Sequence, residues 1–121
     1  MSDLTKRDAA RLRDMPENAW LARQFLEGKT RENLDDDPLL AYAVVHALQV
    51  MGEAANGVSP EAQAALPAIE WANIIGMRNR LVHAYNAINY DIVWSVVHDK
   101  LQPLTKELWI ALRPIYPDLN K

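Results

Sequence analysis

The stretch Trp71–Tyr85, which reads WANIIGMRNRLVHAY, decides the fold because its apolar residues recur at steps of three and four. That spacing is typical of one face of an amphipathic α-helix. Arg78 lies in the middle of this apolar face, where an arginine is costly unless it is paired or lines a cleft. His83 follows five residues later, and histidine is the side chain best suited to proton transfer near neutral pH. The stretch therefore predicts a helix that carries a functional site.

The spacing of Arg78 and His83 indicates phosphodiester chemistry but leaves the geometry open. On a straight helix the two positions are about 140° apart, so one regular helix would not bring them together. Either the helix loosens near its end, or a second chain completes the site. Arginine offers a planar fork of donors to a phosphate, and histidine can move the proton of a ribose hydroxyl. Neither role needs a metal.

Three further segments repeat their apolar residues at the same steps. These stripes are Leu12, Met15, Ala19, Ala22 and Leu26; Leu40, Val44, Ala47, Leu48, Met51 and Ala55; and Val93, Val97, Leu101, Leu104, Leu108 and Leu112. The chain has only four glycines, and the alternation typical of strands is hard to find. We therefore predict an all-α fold, a small antiparallel four-helix bundle. Residues 1–121 should form one domain with a loose tail from about residue 114.

Prolines interrupt the first and the last of these stripes without shifting their phase. At Pro16, two arrangements fit: one kinked helix from about Thr5, or a new helix capped by Asp14 with Glu17 completing a capping box. At Pro103, the alternatives are one long kinked helix or two nearly collinear helices. The exact start of the first helix therefore stays open.

Turn and cap signals place the other boundaries. The polar run from Gly28 to Asp37 is interpreted as a loop, and Asp37-Pro38 as the N-cap and first residue of the second helix. Gly57 should end that helix, and Ser59–Glu61 should begin one short helical turn. The helix of the central stretch should begin near Glu70.

Composition favours a cytoplasmic protein. There is no cysteine, which fits a reducing compartment, and the charged N-terminal residues lack an apolar signal core. No apolar run approaches the roughly 20 residues needed to cross a bilayer. The net charge of −3 does not indicate nucleic-acid binding, so an RNA site would have to be formed by a local basic group, Arg78 and Arg80. We expect no binding to DNA or to membranes.

The central motif resembles the signature of HEPN-domain ribonucleases, most closely the HepT-like toxin branch. The matching residues are Arg78, Asn79, His83 after four intervening residues, and Tyr85. Further matching pieces are Gly52–Ala55, the Trp71–Asn79 lead-in, and Asp91–Trp94. The resemblance covers nearly the whole chain.

This resemblance implies a metal-independent endoribonuclease without a cofactor, the toxin of a toxin–antitoxin pair. Family members act as homodimers in which two motifs face each other across a shared cleft. His83 would serve as general base or acid, Arg78 would stabilise the charged phosphorus, and Asn79 would orient His83 or the phosphate. Arg80 is interpreted as a substrate-contacting or exposed arginine. Cleavage by the ribose 2′-hydroxyl would leave a 2′,3′-cyclic phosphate.

The family also implies a regulator and an alternative. In the family, the antitoxin is a minimal nucleotidyltransferase that adds adenylyl groups to the tyrosine corresponding to Tyr85. Bulky negative phosphates beside the catalytic pair would repel RNA. The alternative function is a non-catalytic helical dimer that binds nucleotides or a protein partner in the same cleft.

Several of these residues also have plain structural interpretations. Glu53, at the edge of the second stripe, is either the partner of the motif arginine or a solvated glutamate near a helix end. In the structural interpretation, His83 interacts with the last backbone carbonyls of its helix, and Tyr85 packs in the core. His46 and His98 have no partners at the spacing of a ligand set, so we expect no metal site.

Overall fold

The regular structure is entirely helical in the part of the chain described here, which confirms the all-α prediction. That part, in a computed structural model, is residues 6–83 and 88–114 without the side chains of Val82 and His83. The helices are α1 (Lys6–Leu26), α2 (Asn33–Asp36), α3 (Pro38–Gly57), α4 (Pro60–Ala65), α5 (Trp71–His83), α6 (Tyr90–Ser95) and, after a π-helical turn over Val96–Lys100, α7 (Leu101–Leu112). Thr5, Tyr85 and the tail from residue 115 lie outside the described residues. None of the described helices has the length and apolar character needed to cross a membrane.

The predicted apolar stripes form the core of a bundle built from α1, α3, α5 and the α6–α7 segment. All the stripe residues of α1 and α3 are buried, and in the last stripe only Leu104 is half-buried. Helix α3 packs most extensively on α1 and then on α5, while α7 closes against α1. Full burial of one leucine such as Leu48 stabilises the fold by roughly 1.5–3 kcal/mol. These stripes are therefore what holds the helices together.

Neither proline breaks its helix. Helix α1 runs without interruption through Pro16, so the first of the two alternatives is correct, and Asp14 lies inside the helix rather than capping it. A proline inside a helix costs about 3 kcal/mol, and burial of the stripe on both sides of Pro16 offsets this cost. Before Pro103 the helix opens into the π-helical turn, where the Leu101 N–H donates to the Val96 carbonyl five residues back. The wider turn accommodates the missing donor of the proline.

The loop predicted from Gly28 to Asp37 is wrong in part, because α2 occupies its second half. Leu34 is buried there, and this one apolar contact holds a polar segment in a helical turn. The two predicted caps are present. The Asp37 side chain accepts a hydrogen bond from the N–H three residues later at 3.2 Å, and Ser59 caps α4 in the same way at 3.2 Å.

A buried carboxylate joins the beginning of α1 to the end of α3. Asp8 is buried and accepts hydrogen bonds from the Ser59 N–H at 2.9 Å and from the Ser59 hydroxyl at 2.8 Å. Nearby, Arg11 Nη1 donates to the Gly57 carbonyl at 3.0 Å. Because the N-terminal part of α1 meets the C-terminal end of α3, the two longest helices are antiparallel.

Replacing Asp8 with alanine is expected to lower the free energy of unfolding by about 1.5–3 kcal/mol, as for hydrogen bonds to a charged group. The half-buried N–H of Ser59 would lose its acceptor. Urea unfolding followed by circular dichroism measures the change. The control is Glu17→Ala, an exposed acidic residue of the same helix, which should stay within about 0.5 kcal/mol of the wild type. Equal midpoints for the two variants would contradict the anchoring role.

Candidate active site

The site forms where α5 crosses α3. On α5, Arg78 lies between the buried Ile74 and Leu81 and is itself only 21% exposed, as the apolar stripe predicts. Its stem packs over Gly52 of α3, a residue without a side chain. The arginine is therefore fixed at the interface between two helices, with its guanidinium directed to the edge of that interface.

The guanidinium of Arg78 is held by two neighbours. Nη2 lies 2.5 Å from Glu53 Oε2, and Nη1 donates to Asn79 Oδ1 at 2.9 Å. Glu53 is therefore paired with Arg78, and its side chain is at the same time largely exposed to solvent. A guanidinium carries two N–H groups on each Nη, so one on each remains for a ligand. Nε is buried and has no hydrogen-bond partner within the described residues.

This ion pair orients the arginine more than it stabilises the fold. The Glu53 side chain is 63% exposed, and exposed ion pairs contribute only about 0.2–1 kcal/mol. A buried donor without a partner costs more than that, about 1–3 kcal/mol. The ion pair therefore adds little to the stability of the fold, but it holds the positively charged guanidinium of Arg78 in place at the surface.

The structure does not bring position 83 to the same face as Arg78. Helix α5 remains α-helical through His83, so the two positions lie about 140° apart around the axis. Of the two alternatives, loosening of the helix is therefore not observed up to His83. Asn79 is exposed, and its side-chain amide oxygen Oδ1 already accepts a hydrogen bond from Arg78. The His83 side chain and all of Tyr85 lie outside the described residues.

A groove of about 690 Å³ lies between α5 on one side and the π-helical turn with the first part of α7 on the other. Arg80 and Lys100 line it together with the acidic Glu70, Asp99 and Glu107. Arg80 is exposed and makes no hydrogen bond or ion pair with other described residues, so it is available to a ligand. The sequence predicted Arg80 as a substrate-contacting or exposed arginine but did not predict the groove, because the groove depends on where α5 and α7 lie relative to each other in space.

The other two histidines, His46 and His98, lie outside the contacts that hold Arg78. His46 is exposed on α3, and His98 stacks on Trp94 with ring centroids 3.8 Å apart. His98 Nδ1 lies 3.1 Å from the Trp94 carbonyl oxygen. Within residues 6–83 and 88–114, no three His, Asp or Glu side chains are grouped so that they could hold a metal ion.

Beyond residues 84–87, a half-buried arginine anchors the start of α6. Arg31 Nε donates to Asp91 Oδ1 at 2.6 Å, and Arg31 Nη1 lies 3.1 Å from Asp35 Oδ2. The hydrogen bond to Asp91 is the main cause that raises the pKa of Arg31 above its ordinary value. Asn89 caps the same helix end through the Asp91 N–H. The start of α6 is therefore fixed to the α2 region.

The fold and the site define a small helical-bundle protein that presents an oriented arginine on the helix leading to a histidine. The family model of HepT-like ribonucleases matches residues 15–109, well over half of the chain, and the chain belongs to this family. A protein of Methanocaldococcus jannaschii named "Putative RNase" is 30% identical over 109 residues, which cover 89% of this chain and 100% of the relative. A protein of Thermococcus cleftensis named "Probable ribonuclease HepT" is 28% identical over 93 residues, 77% of this chain and 84% of the relative. No solved structure gives a significant match.

Proposed function

We propose that this protein is a metal-independent endoribonuclease. The observation that carries the proposal is the guanidinium of Arg78, oriented by Glu53 and Asn79 on the helix that reaches His83. Membership of the HepT-like ribonuclease family and the names of the two relatives support RNA as the substrate. The available N–H groups of Arg78 suit the oxygens of a phosphodiester.

The proposed chemistry is an attack by the ribose 2′-hydroxyl on the adjacent phosphorus. The new bond joins the 2′-oxygen to phosphorus, and the bond to the 5′-oxygen of the next nucleotide breaks. His83 takes the proton of the 2′-hydroxyl or gives one to the departing 5′-oxygen. Arg78 stabilises the extra negative charge on the pentacoordinate phosphorus. The products are a 2′,3′-cyclic phosphate and a 5′-hydroxyl.

The active form in this proposal is a two-fold homodimer. Arg78 is directed towards α3 and Glu53, whereas position 83 is on a face of α5 about 140° away. A site that uses both residues is therefore easier to complete from two chains than from one. In a two-fold dimer each copy offers both halves, so two composite sites form. Arg80, exposed on α5, would help to draw the phosphate backbone into each site.

In its cellular role, the protein would be a cytoplasmic toxin paired with a nucleotidyltransferase antitoxin. The support is membership of the HepT-like family and the tyrosine that follows His83 by two residues. The nucleotidyltransferase would silence the ribonuclease by transferring adenylyl groups to Tyr85.

The direct test is cleavage of a labelled RNA in the presence of EDTA. We expect cleavage to continue and mass spectrometry to find 2′,3′-cyclic phosphate ends. The matched control is the same RNA with a 2′-deoxy nucleotide on the 5′ side of a mapped cut, which should block that cut alone because the nucleophile is missing. Inhibition by EDTA, or cutting at the deoxy position, would contradict the mechanism. RNA that is bound but never cut would favour a non-catalytic binding module.

A further inference from the structure

We propose that Gly52 is a positioning residue for Arg78, a role that rests on the ribonuclease function proposed above. Gly52 lies on α3 against the stem of Arg78, and a Cβ on residue 52 would overlap the Cβ of Arg78. It would also lie 2.8 Å from the Cγ and 3.3 Å from the Cα of Arg78, where carbon atoms ordinarily keep about 3.5–4.0 Å. Rotation of the arginine side chain does not move its Cα or Cβ, so α5 itself would have to shift.

The missing side chain sets the separation of α3 and α5 and thereby the contact with Glu53. Because Glu53 follows Gly52 directly, the close approach at Gly52 also brings the Glu53 carboxylate to 2.5 Å from Arg78 Nη2. Asn79, by contrast, is on α5 and moves together with Arg78. A helix pushed outward by a methyl group would therefore keep the Asn79 contact and lose the Glu53 contact, which leaves the guanidinium held at one end only.

Backbone conformation does not explain this glycine. Gly52 lies inside α3, where glycine is less favourable than alanine. Among the described glycines only Gly28 has a positive φ, of 75°. A residue that weakens its own helix is thus placed where any side chain would strike Arg78.

Gly76 provides a matched control for the substitution. It is a second helical glycine, two residues before Arg78 on α5, and a Cβ at this position meets nothing within 4 Å. Gly52→Ala and Gly76→Ala therefore make the same chemical change in two packed helices. Only Gly52→Ala forces the helices apart.

The first measurement compares stability and turnover of the two variants. Gly52→Ala is expected to lower the melting temperature by roughly 3–10 °C through overpacking, whereas Gly76→Ala should match or slightly exceed the wild type. At a temperature where all proteins are fully folded, Gly52→Ala should lower kcat about 10–100-fold, the usual effect of a small misplacement. Its KM should change little, and Gly76→Ala should keep the wild-type kcat. A wild-type kcat per folded molecule of Gly52→Ala overturns the proposal.

The second measurement does not depend on cleavage. The Nε–H of Arg78 is buried, so it should give a slowly exchanging side-chain signal in ¹⁵N NMR, assigned by its loss in Arg78→Lys. Gly52→Ala should shift this signal and speed its exchange with water, and Gly76→Ala should leave it in place. An unmoved signal in Gly52→Ala overturns the positioning role. A shifted signal in a chain whose wild type cuts no RNA supports the positioning and contradicts only the ribonuclease function.

A compensating variant keeps the proposal testable if Gly52→Ala does not fold. Arg78→Gly removes the Cβ that the new methyl group would strike. The double variant Gly52→Ala/Arg78→Gly should therefore fold and match the thermal stability of Arg78→Gly alone, which includes the cost of a glycine inside α5. A double variant that is much less stable than Arg78→Gly alone overturns the steric basis.

Discussion

Alanine at position 78 or 83 abolishes RNA cleavage and leaves the fold intact, if the proposed mechanism holds. Loss of His83 removes a positioned acid or base, which typically costs about 10²–10⁴-fold in rate. Loss of Arg78 removes charge stabilisation at phosphorus, and losing one such donor costs about 10²–10³-fold. Single-turnover cleavage of a labelled RNA measures both effects.

The stability of Arg78→Ala separates catalysis from structure. Truncation removes an exposed ion pair worth about 0.2–1 kcal/mol, but it also removes a buried Nε–H that has no partner among the described residues. These two effects oppose each other, so the melting temperature should change little. If Arg78 had only a structural role, Arg78→Ala would lower the melting temperature, and the remaining activity would be proportional to the fraction of folded protein.

Exposed residues of the same types provide the controls. Arg13 and His46 are exposed on α1 and α3, and neither makes a hydrogen bond or an ion pair with Arg78, Glu53 or Asn79. Arg13→Ala and His46→Ala should therefore cleave at the wild-type rate. Wild-type cleavage by Arg78→Ala or His83→Ala would show that the mechanism is wrong.

Mixing the two inactive variants tests whether one site uses two chains. In a heterodimer of Arg78→Ala and His83→Ala subunits, one composite site carries both substitutions and the other carries none. Random exchange of an equal mixture would restore about a quarter of the wild-type activity, because half of the dimers are mixed and each has one intact site. No recovery after verified subunit exchange would place both residues of a site on one chain, and a monomer with full activity would exclude the dimer.

The sequence was sufficient to predict the helices that bury wide apolar stripes. The stripes of α1 and α3 are buried as expected, and in α1 the burial of five stripe residues outweighs one unfavourable proline, Pro16. It was insufficient for α2, where a single buried residue, Leu34, holds a polar segment. One apolar residue gives no periodicity to detect.

Site residues that stand out in the periodicity of a single helix could also be predicted from the sequence. Contacts that depend on the packing of two helices could not. Arg78 was identified because it interrupts an apolar stripe, and Glu53 because it lies at the edge of another. The steric role of Gly52 and the contact of Asp8 with Ser59 depend on distances between helices. Sequence spacing contains no such distances, so no local signal would have found them.

Adenylylation of Tyr85 is expected to switch the ribonuclease off completely. The tyrosine oxygen would attack the α-phosphorus of ATP, so that an O–P bond forms, pyrophosphate leaves and the phenolic proton passes to solvent. The attached AMP would carry a negative phosphate two residues along the sequence from His83, and we expect this charge to repel the RNA backbone. Incubation with the partner nucleotidyltransferase and ATP should add the mass of an adenylyl group, which is AMP less one water, and reduce cleavage to background.

Tyr85→Phe should remain active under the same conditions, because it lacks the accepting oxygen and keeps the aromatic ring. The matched control is Tyr42→Phe, since Tyr42 is a tyrosine on α3 that is 76% exposed and therefore accessible to any transferase. Tyr42→Phe should gain the mass of an adenylyl group and lose activity as the wild type does. Intact-mass measurement and RNA cleavage on the same samples decide the matter. If Tyr85→Phe still gains AMP, or if the wild type gains none, Tyr85 is not the acceptor; if modified wild type still cuts RNA, the modification does not regulate the site.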